Sequence, residues 1–126
     1  MPEAAFSYSV LRVVPRVERG EAMNVGVALF SRQHDYLGLR VRLDEGRLLA
    51  LDPGCDPGPI RAQLAALTVV ASGEGHGGVL AGLPASDRFG WLTAPSSTII
   101  QPSEVHTGLT DDPEATLEHL FNTLVA

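Results

Sequence analysis

The sequence contains no lysine, a single cysteine and only 6% aromatic residues among its 126 positions. One cysteine, Cys55, excludes an internal disulfide, which favours a reducing compartment, and we expect a cytoplasmic protein. The longest apolar run, at about 64–71, is far shorter than the ~20 residues that a membrane-spanning helix needs. The first residues have neither the basic nor the apolar segment of a signal peptide, so no export signal is expected.

Basic charge is also scarce, and the net charge is −6. Because nucleic acids bind basic surfaces, this balance disfavours a nucleic-acid-binding protein, although it leaves room for a local basic patch. All nine basic residues are arginine. This usage is typical of a GC-rich coding sequence. Bidentate binding of phosphate or carboxylate by the guanidinium group would involve at most a few of these positions.

Three consecutive segments, 6–14, 22–30 and 36–43, alternate between apolar and small or polar residues and are separated by short turns. This period of two predicts an N-terminal β-meander. In the second segment it predicts one face shared by Met23, Val25, Val27 and Leu29, with Asn24 on the other face.

Helical spacing follows the meander. Helices are predicted over 44–51, from Pro59 onward, from Ser86 or Asp87 to Trp91, and after a cap at Asp111 or Asp112. Short strands are predicted at 98–101 and 104–107, and a glycine-rich loop at about 73–82. The chain is thus predicted to be one α+β domain over residues 1–126. Its antiparallel sheet, the three-stranded meander plus one or two later strands, would pack on one side against about three helices.

No complete catalytic or cofactor motif is present. Gly73, Gly75 and Gly78 spell GxGxxG, but barely one helical turn fits before Pro84, so a dinucleotide site is not expected. The four histidines and Cys55 lack the close paired spacing of zinc ligands. We therefore predict no cofactor and no metal. Cys55 precedes Asp56, whose charge would raise the pKa of the thiol, so we do not expect a nucleophile.

Polar side chains are concentrated in residues 88–113. The hydroxyls of 96–98 are typical of a turn, and they could also hold a small anion. His106 alternates with Val105 in a predicted strand, so it would face away from the core if Val105 faces inward; a structural histidine is the alternative. Trp91 is expected in the core.

Three stretches resemble a known family: YSVLRVVPRVERGEAMNVGVALF, WLTAPSSTIIQPSEVHTGL and DDPEATLEHLF. They carry Arg-x-x-Pro leading to Gly-Glu-x-x-Asn-Val-Gly-Val, and Trp-Leu-x-x-Pro followed by Ser-Thr and Gln-Pro-Ser. From about 6 to 124 the chain is similar to the bacterial domain-of-unknown-function family 3037, which has no assigned activity. The resemblance implies a gene context, since such genes often lie beside one for a HipA-like kinase, and this association supports a role as a small partner protein. It also implies binding residues at the family's marked polar positions, which are Arg12, Glu21, Asn24, Ser97, Gln101 and His106. Relatives tend to carry a basic residue beside the Ser-Thr pair, where this chain has Ser96, so if that residue contacts an anion in the family, this chain lacks the contact.

Two functional hypotheses follow. The first is a small cytoplasmic binding or accessory module, a partner of a HipA-like kinase or of another protein, with a homodimer left open. The alternative is a small enzyme acting on a phosphodiester or nucleotide substrate. In that enzyme His106 and Glu21 would form an acid–base pair, while Arg12 and Ser97 would hold the anion. The sequence leaves the question of an enzyme open and favours the binding module.

Overall fold

The computed structural model describes residues 2–73, 78–94 and 99–126. Its strands are β1 (Ala4–Val13), β2 (Met23–Ser31), β3 (Tyr36–Val41), β4 (Ile100–Pro102) and β5 (His106–Thr110). They form one antiparallel sheet in the order β3–β2–β1, and both β4 and β5 pair with the free side of β1. The predicted meander with two later strands is confirmed.

The first two turns use backbone conformations that suit their residues. Gly20 has φ 69° in the turn before β2, and Asp35 has φ 50° in the turn before β3. Glycine adopts positive φ without a steric penalty, and aspartate tolerates the left-handed region better than most residues do. Both turns are short enough to keep β1, β2 and β3 adjacent.

β4 and β5 lie end to end along β1 and make one interrupted edge. Leu11 pairs with Pro102, while Tyr8 pairs with His106, so the edge contains one residue more than β1 does over the same length. Ser103 bridges the interruption. Its backbone N–H donates to Val10 O at 2.8 Å, and its hydroxyl accepts the Val10 N–H at 2.9 Å. The ladder therefore continues past the extra residue.

A second irregularity lies in β2. Leu11 pairs with Gly26 and Arg12 with Asn24, so Val25 is an extra residue, a β-bulge. Met23 and Val25 pack in one hydrophobic core, whereas Val27 and Leu29 pack in another. The predicted single face for these four residues is wrong, because the inserted residue changes the side to which the rest of the strand points.

The helices are α1 (Glu45–Leu51), α2 (Pro57–Ser72), α3 (Gly78–Ala81), α4 (Ala85–Leu92) and α5 (Pro113–Leu124). Side chains of Asp44, Asp56 and Asp112 cap α1, α2 and α5. α4 begins at Ala85 after Pro84, earlier than predicted, and α3 occupies part of the predicted glycine-rich loop. The rest of that loop, 74–77, lies outside the described residues. No helix in the described ranges is both long and apolar enough to cross a membrane.

Each face of the sheet carries its own hydrophobic core. On one side, which we call the α2 face, α1 and α2 contribute Leu48, Ile60 and Leu64, and Phe89 of α4 stacks on Phe30 at 5.7 Å. On the other side, the α5 face, Leu117 packs with strand residues; the core there comprises Phe6, Val27, Leu29, Leu117 and Val125. The prediction that helices cover one side is therefore wrong, since the bulge gives both faces an apolar strip to bury.

α5 packs mainly on β2 and β3. β4 and β5 lie on the other side of β1. Their main described contacts are with β1 and not with a helix. The candidate site lies on this open part of the sheet.

Candidate functional site

Three of the predicted binding residues form a row across adjacent strands. Arg12 of β1 pairs directly with Asn24 of β2 on one side and with Gln101 of β4 on the other. Directly paired residues of an antiparallel ladder project from the same face, here the α5 face. All three side chains are half-buried. The structure thus joins residues that are up to 89 positions apart in the chain.

Arg12 is held by the backbone of β4. Its Nε donates to Gln101 O at 3.4 Å and its Nη2 donates to Pro102 O at 3.3 Å. These long hydrogen bonds engage only some of the N–H groups of a guanidinium. The ion pairs within the described ranges are Arg16–Asp52, Arg19–Glu21 and Arg61–Glu45, and none includes Arg12. The guanidinium is therefore oriented without being neutralised by a described carboxylate.

Asn24 connects this row to α5. Its Nδ2 donates to Leu124 O at 3.0 Å. The last carbonyls of a helix have no partner within the helix, so this bond satisfies one of them and fixes the end of α5 beside the sheet. Asn24 consequently has a structural role, whatever else it contacts.

His106 of β5 lies on the same face, beside a part of β1 that is farther from the row. It pairs with Tyr8, and the two rings are 5.2 Å apart between centroids. Tyr8 in turn stacks on Phe6 at 6.0 Å, so the exposed imidazole extends a row of rings that begins in the core. Tyr8 and Arg12 are separated by about 13 Å along the strand. His106 and Arg12 therefore share one face but are not in contact.

Val105 is 46% exposed, so the condition that it faces inward, on which the orientation of His106 was argued, is not met. Trp91 was expected in the core and is 44% exposed. It lines a shallow cleft of 170 Å³ with Leu67, Leu92 and Pro102.

Glu21 does not join the row. It is exposed in the turn before β2 and its Oε1 accepts from Nε of Arg19 at 2.7 Å. His106 pairs with Tyr8, whereas Met23, two residues after Glu21, pairs with Val13. Tyr8 and Val13 are about 17 Å apart along β1. The described geometry therefore does not bring Glu21 and His106 to one substrate, as an acid–base pair requires. Ser97 lies outside the described residues.

Two residues with clear roles were missed by the sequence analysis. Tyr8 alternates with Val10 and Arg12 along β1, so strand periodicity could have placed it on the face of Arg12. Arg88 donates to Val70 O and Ala71 O and thereby caps the end of α2, and it also donates to Leu83 O just before its own helix. No local signal identifies this cap, because Val70 and Ala71 belong to another helix.

The thiol of Cys55 is not activated. Burial raises its pKa, and the charges of Asp52 and Asp56 raise the pKa further. A thiol of this kind remains protonated at neutral pH and is a poor nucleophile. Within the described ranges, no three His, Cys, Asp or Glu side chains are grouped so that they could hold a metal ion.

Comparison with protein families matches residues 8–125 to the description Protein of unknown function (DUF3037). Searches of curated proteins and of solved structures each found no significant match. The matched segment includes every described helix and all the described strands except the first four residues of β1, so it covers most of the sheet and of both cores. The chain therefore belongs to the DUF3037 family of proteins of unknown function.

Proposed function

We propose that this protein is a small binding module whose contact surface is the open part of the α5 face. The surface consists of the row Asn24–Arg12–Gln101 together with Tyr8 and His106. It would receive an anionic group of a protein partner at Arg12 and place an apolar or planar group near the Tyr8 and His106 rings. Arginine and tyrosine are both enriched among residues that dominate protein interfaces.

The state of Arg12 is the observation that carries this proposal. Its guanidinium is half-buried and held by two backbone carbonyls, yet it has no described carboxylate partner. Arg16, Arg19 and Arg61 pair with acids and Arg88 donates to helix-end carbonyls, whereas Arg12 is half-buried and is held by the carbonyls of a neighbouring strand. Arg12 is thus a fixed donor with remaining hydrogen-bonding capacity, and fixing it in advance lowers the entropic cost of binding.

The candidate partner is a HipA-like kinase, and the proposed location is the cytoplasm. Support for the partner comes from the family resemblance, and support for the location comes from the presence of only one cysteine. The enzymatic alternative has less support, because His106 lies beside Tyr8 whereas Glu21 lies near the other end of β1, where Met23 pairs with Val13.

Co-expression with a HipA-like kinase tests the proposal. We expect co-purification and a dissociation constant in the micromolar range or tighter, measured by calorimetry. Arg12→Ala should weaken binding at least about tenfold, because the buried anionic group of the partner would lose its donor. Arg47→Ala is the matched control, since Arg47 is exposed on α1, on the opposite face, and makes no described ion pair.

Two results would count against the proposal. Absence of a complex at micromolar concentrations would remove the kinase as the partner. Equal affinities for the Arg12→Ala and Arg47→Ala variants would show that the complex forms through another surface.

A further inference from the structure

β5 is an exposed edge of the sheet. It pairs with β1 on one side, and no other strand in the described ranges pairs with it. The outer side of an edge strand presents unpaired N–H and C=O groups, which can pair with a strand from another chain. The free edge of β5 is therefore a site for strand addition.

The opposite edge, β3, is protected in ways that β5 is not. Both α2 and α5 pack on β3, and Arg40 lies within it. β5 has the sequence HTGLT, without proline and without a charged residue between Glu104 and Asp111. Natural proteins usually guard open edges with charges, proline or a covering element, and within β5 itself these are absent.

Exposed apolar residues accompany this edge. Val105 is 46% exposed and Leu109 is 65% exposed. Leu109 pairs with Ala5, and Thr107 pairs with Ser7, so both project from the α2 face. Val105 continues this alternation before Thr107. The edge thus displays an uncovered stripe of Val105, Thr107 and Leu109.

We infer that two copies of this chain pair through β5, antiparallel, about a two-fold axis at Thr107. In this register Val105 lies opposite the partner's Leu109, and Leu109 lies opposite the partner's Val105. Each exposed apolar side chain therefore gains an apolar cross-strand neighbour, the kind of pair that stabilises a sheet. The two five-stranded sheets become one continuous sheet.

The charges on the segment are compatible with this register. Glu104 lies opposite the partner's Thr110, and Asp111 lies opposite the partner's Ser103. No two carboxylates face each other directly, although each chain is strongly acidic overall. A register centred on Gly108 instead would put Glu104 opposite the partner's Asp112 and would be repulsive. The charges beside β5 therefore favour pairing with a second copy of β5 in the register centred on Thr107.

The contact is small, so a weak dimer is expected. One strand pair with its adjacent side chains buries less than the ~1,200 Å² typical of stable complexes. Self-association should accordingly appear only at high micromolar concentration. The inference is independent of the proposed function, because it uses the edge of the sheet and the α2 face, whereas Arg12 lies on the α5 face.

Sedimentation velocity from about 10 µM to about 1 mM tests the dimer. We expect the wild type to shift from monomer to dimer over this range. Thr107→Lys puts two ammonium groups opposite each other at the axis and should weaken association at least about tenfold. Thr123→Lys on the exposed side of α5 changes the net charge equally and should leave association intact.

Disulfide trapping tests the register. In a Cys55→Ser background, Thr107→Cys places two thiols on directly opposite positions, whose Cα separation of about 5 Å suits a disulfide. Mild oxidation should give a covalent dimer, while Thr123→Cys in the same background should remain largely monomeric. Circular dichroism of every variant checks that the exposed substitutions leave the fold unchanged.

A protein that stays monomeric at about 1 mM would overturn the inference. Dimerisation that Thr107→Lys leaves unchanged would overturn it as well, since another surface would then be responsible. Protection of the β5 amides from hydrogen exchange on adding an extended partner peptide, without self-association, would assign the edge to that partner instead.

Discussion

Gly38 of β3 lies where Tyr36 and Leu117 close over the strand. A Cβ built on Gly38 would stand 2.7 Å from Leu117 Cδ2 and would also overlap the Tyr36 hydroxyl. The absence of a side chain therefore lets α5 approach the sheet. At this scale a single hydrogen atom in place of a methyl group decides how closely two elements pack.

Gly38→Ala should destabilise the protein by about 1–3 kcal/mol, because Leu117 or the strand must move. Gly90→Ala is the control: Gly90 is in α4, a Cβ there meets nothing within 4 Å, and alanine should stabilise the helix by about 0.5–1 kcal/mol. Urea unfolding of both variants measures the difference. Equal midpoints would refute the tight approach of α5.

Cys55 gives a second prediction at this scale. Burial and the nearby carboxylates raise the pKa of its thiol, so thiolate forms at higher pH in the folded protein than in the unfolded chain. The alkylation rate by iodoacetamide should therefore reach its midpoint at higher pH for the native protein than for the same protein in urea. A native midpoint at or below the unfolded one would contradict this assignment.

At the scale of elements, one aspartate starts α5. The Asp112 side chain accepts from the Ala115 N–H at 3.1 Å, while its exposed neighbour Asp111 makes no described hydrogen bond. The sequence allowed either residue as the cap, because both precede Pro113. The structure resolves the choice through one hydrogen bond.

Asp112→Ala should cost about 1 kcal/mol of unfolding free energy, the usual value of an N-cap. Asp111→Ala removes the same charge one residue away and should change the stability by less than about 0.5 kcal/mol. Thermal unfolding compares the two variants. A larger loss in the Asp111 variant would mean that α5 begins differently in solution.

Most elements could be predicted from the sequence because their signals are local. Alternation identified the meander, and Asp, Pro and apolar spacing identified α1, α2 and α5. The bulge at Val25 has no local signal, since Met23 to Leu29 alternate without interruption in the sequence. The bulge lets β2 contribute to two cores on opposite faces, an arrangement that exists only in the folded chain.

At the scale of the whole molecule, one sheet separates and connects two cores. Leu64 lies in the core of the α2 face and Leu117 in that of the α5 face, and both are almost fully buried. β1 and β2 contribute side chains to both cores. Loss of either core should therefore unfold the common sheet.

Leu117→Ala and Leu64→Ala should each cost about 2–5 kcal/mol. The single tryptophan, Trp91, lies on the α2 face and reports on that side. If the molecule unfolds as one unit, Leu117→Ala must shift the Trp91 fluorescence transition as far as the circular dichroism transition. An unchanged fluorescence midpoint would mean that the two faces unfold separately.

The candidate site is also a property of the whole molecule. Arg12 and Gln101 are adjacent only because β4 returns to pair with β1, and nothing in either segment encodes that pairing. The family resemblance named both residues without their geometry. It also named Glu21, which the described structure places in a separate turn with Arg19.

The extra residue between β4 and β5 affects which of their side chains share the α5 face. Gln101 and His106 are separated by an odd number of positions, which in a regular strand would place them on opposite faces. The extra residue reverses this parity and brings them to the same face. Deleting one residue from 103–105 would make this separation even, so a regular strand could keep both pairings with β1 and leave Gln101 and His106 on the same face. A gap of one residue in a relative would therefore mark an uninterrupted edge strand that carries the same surface.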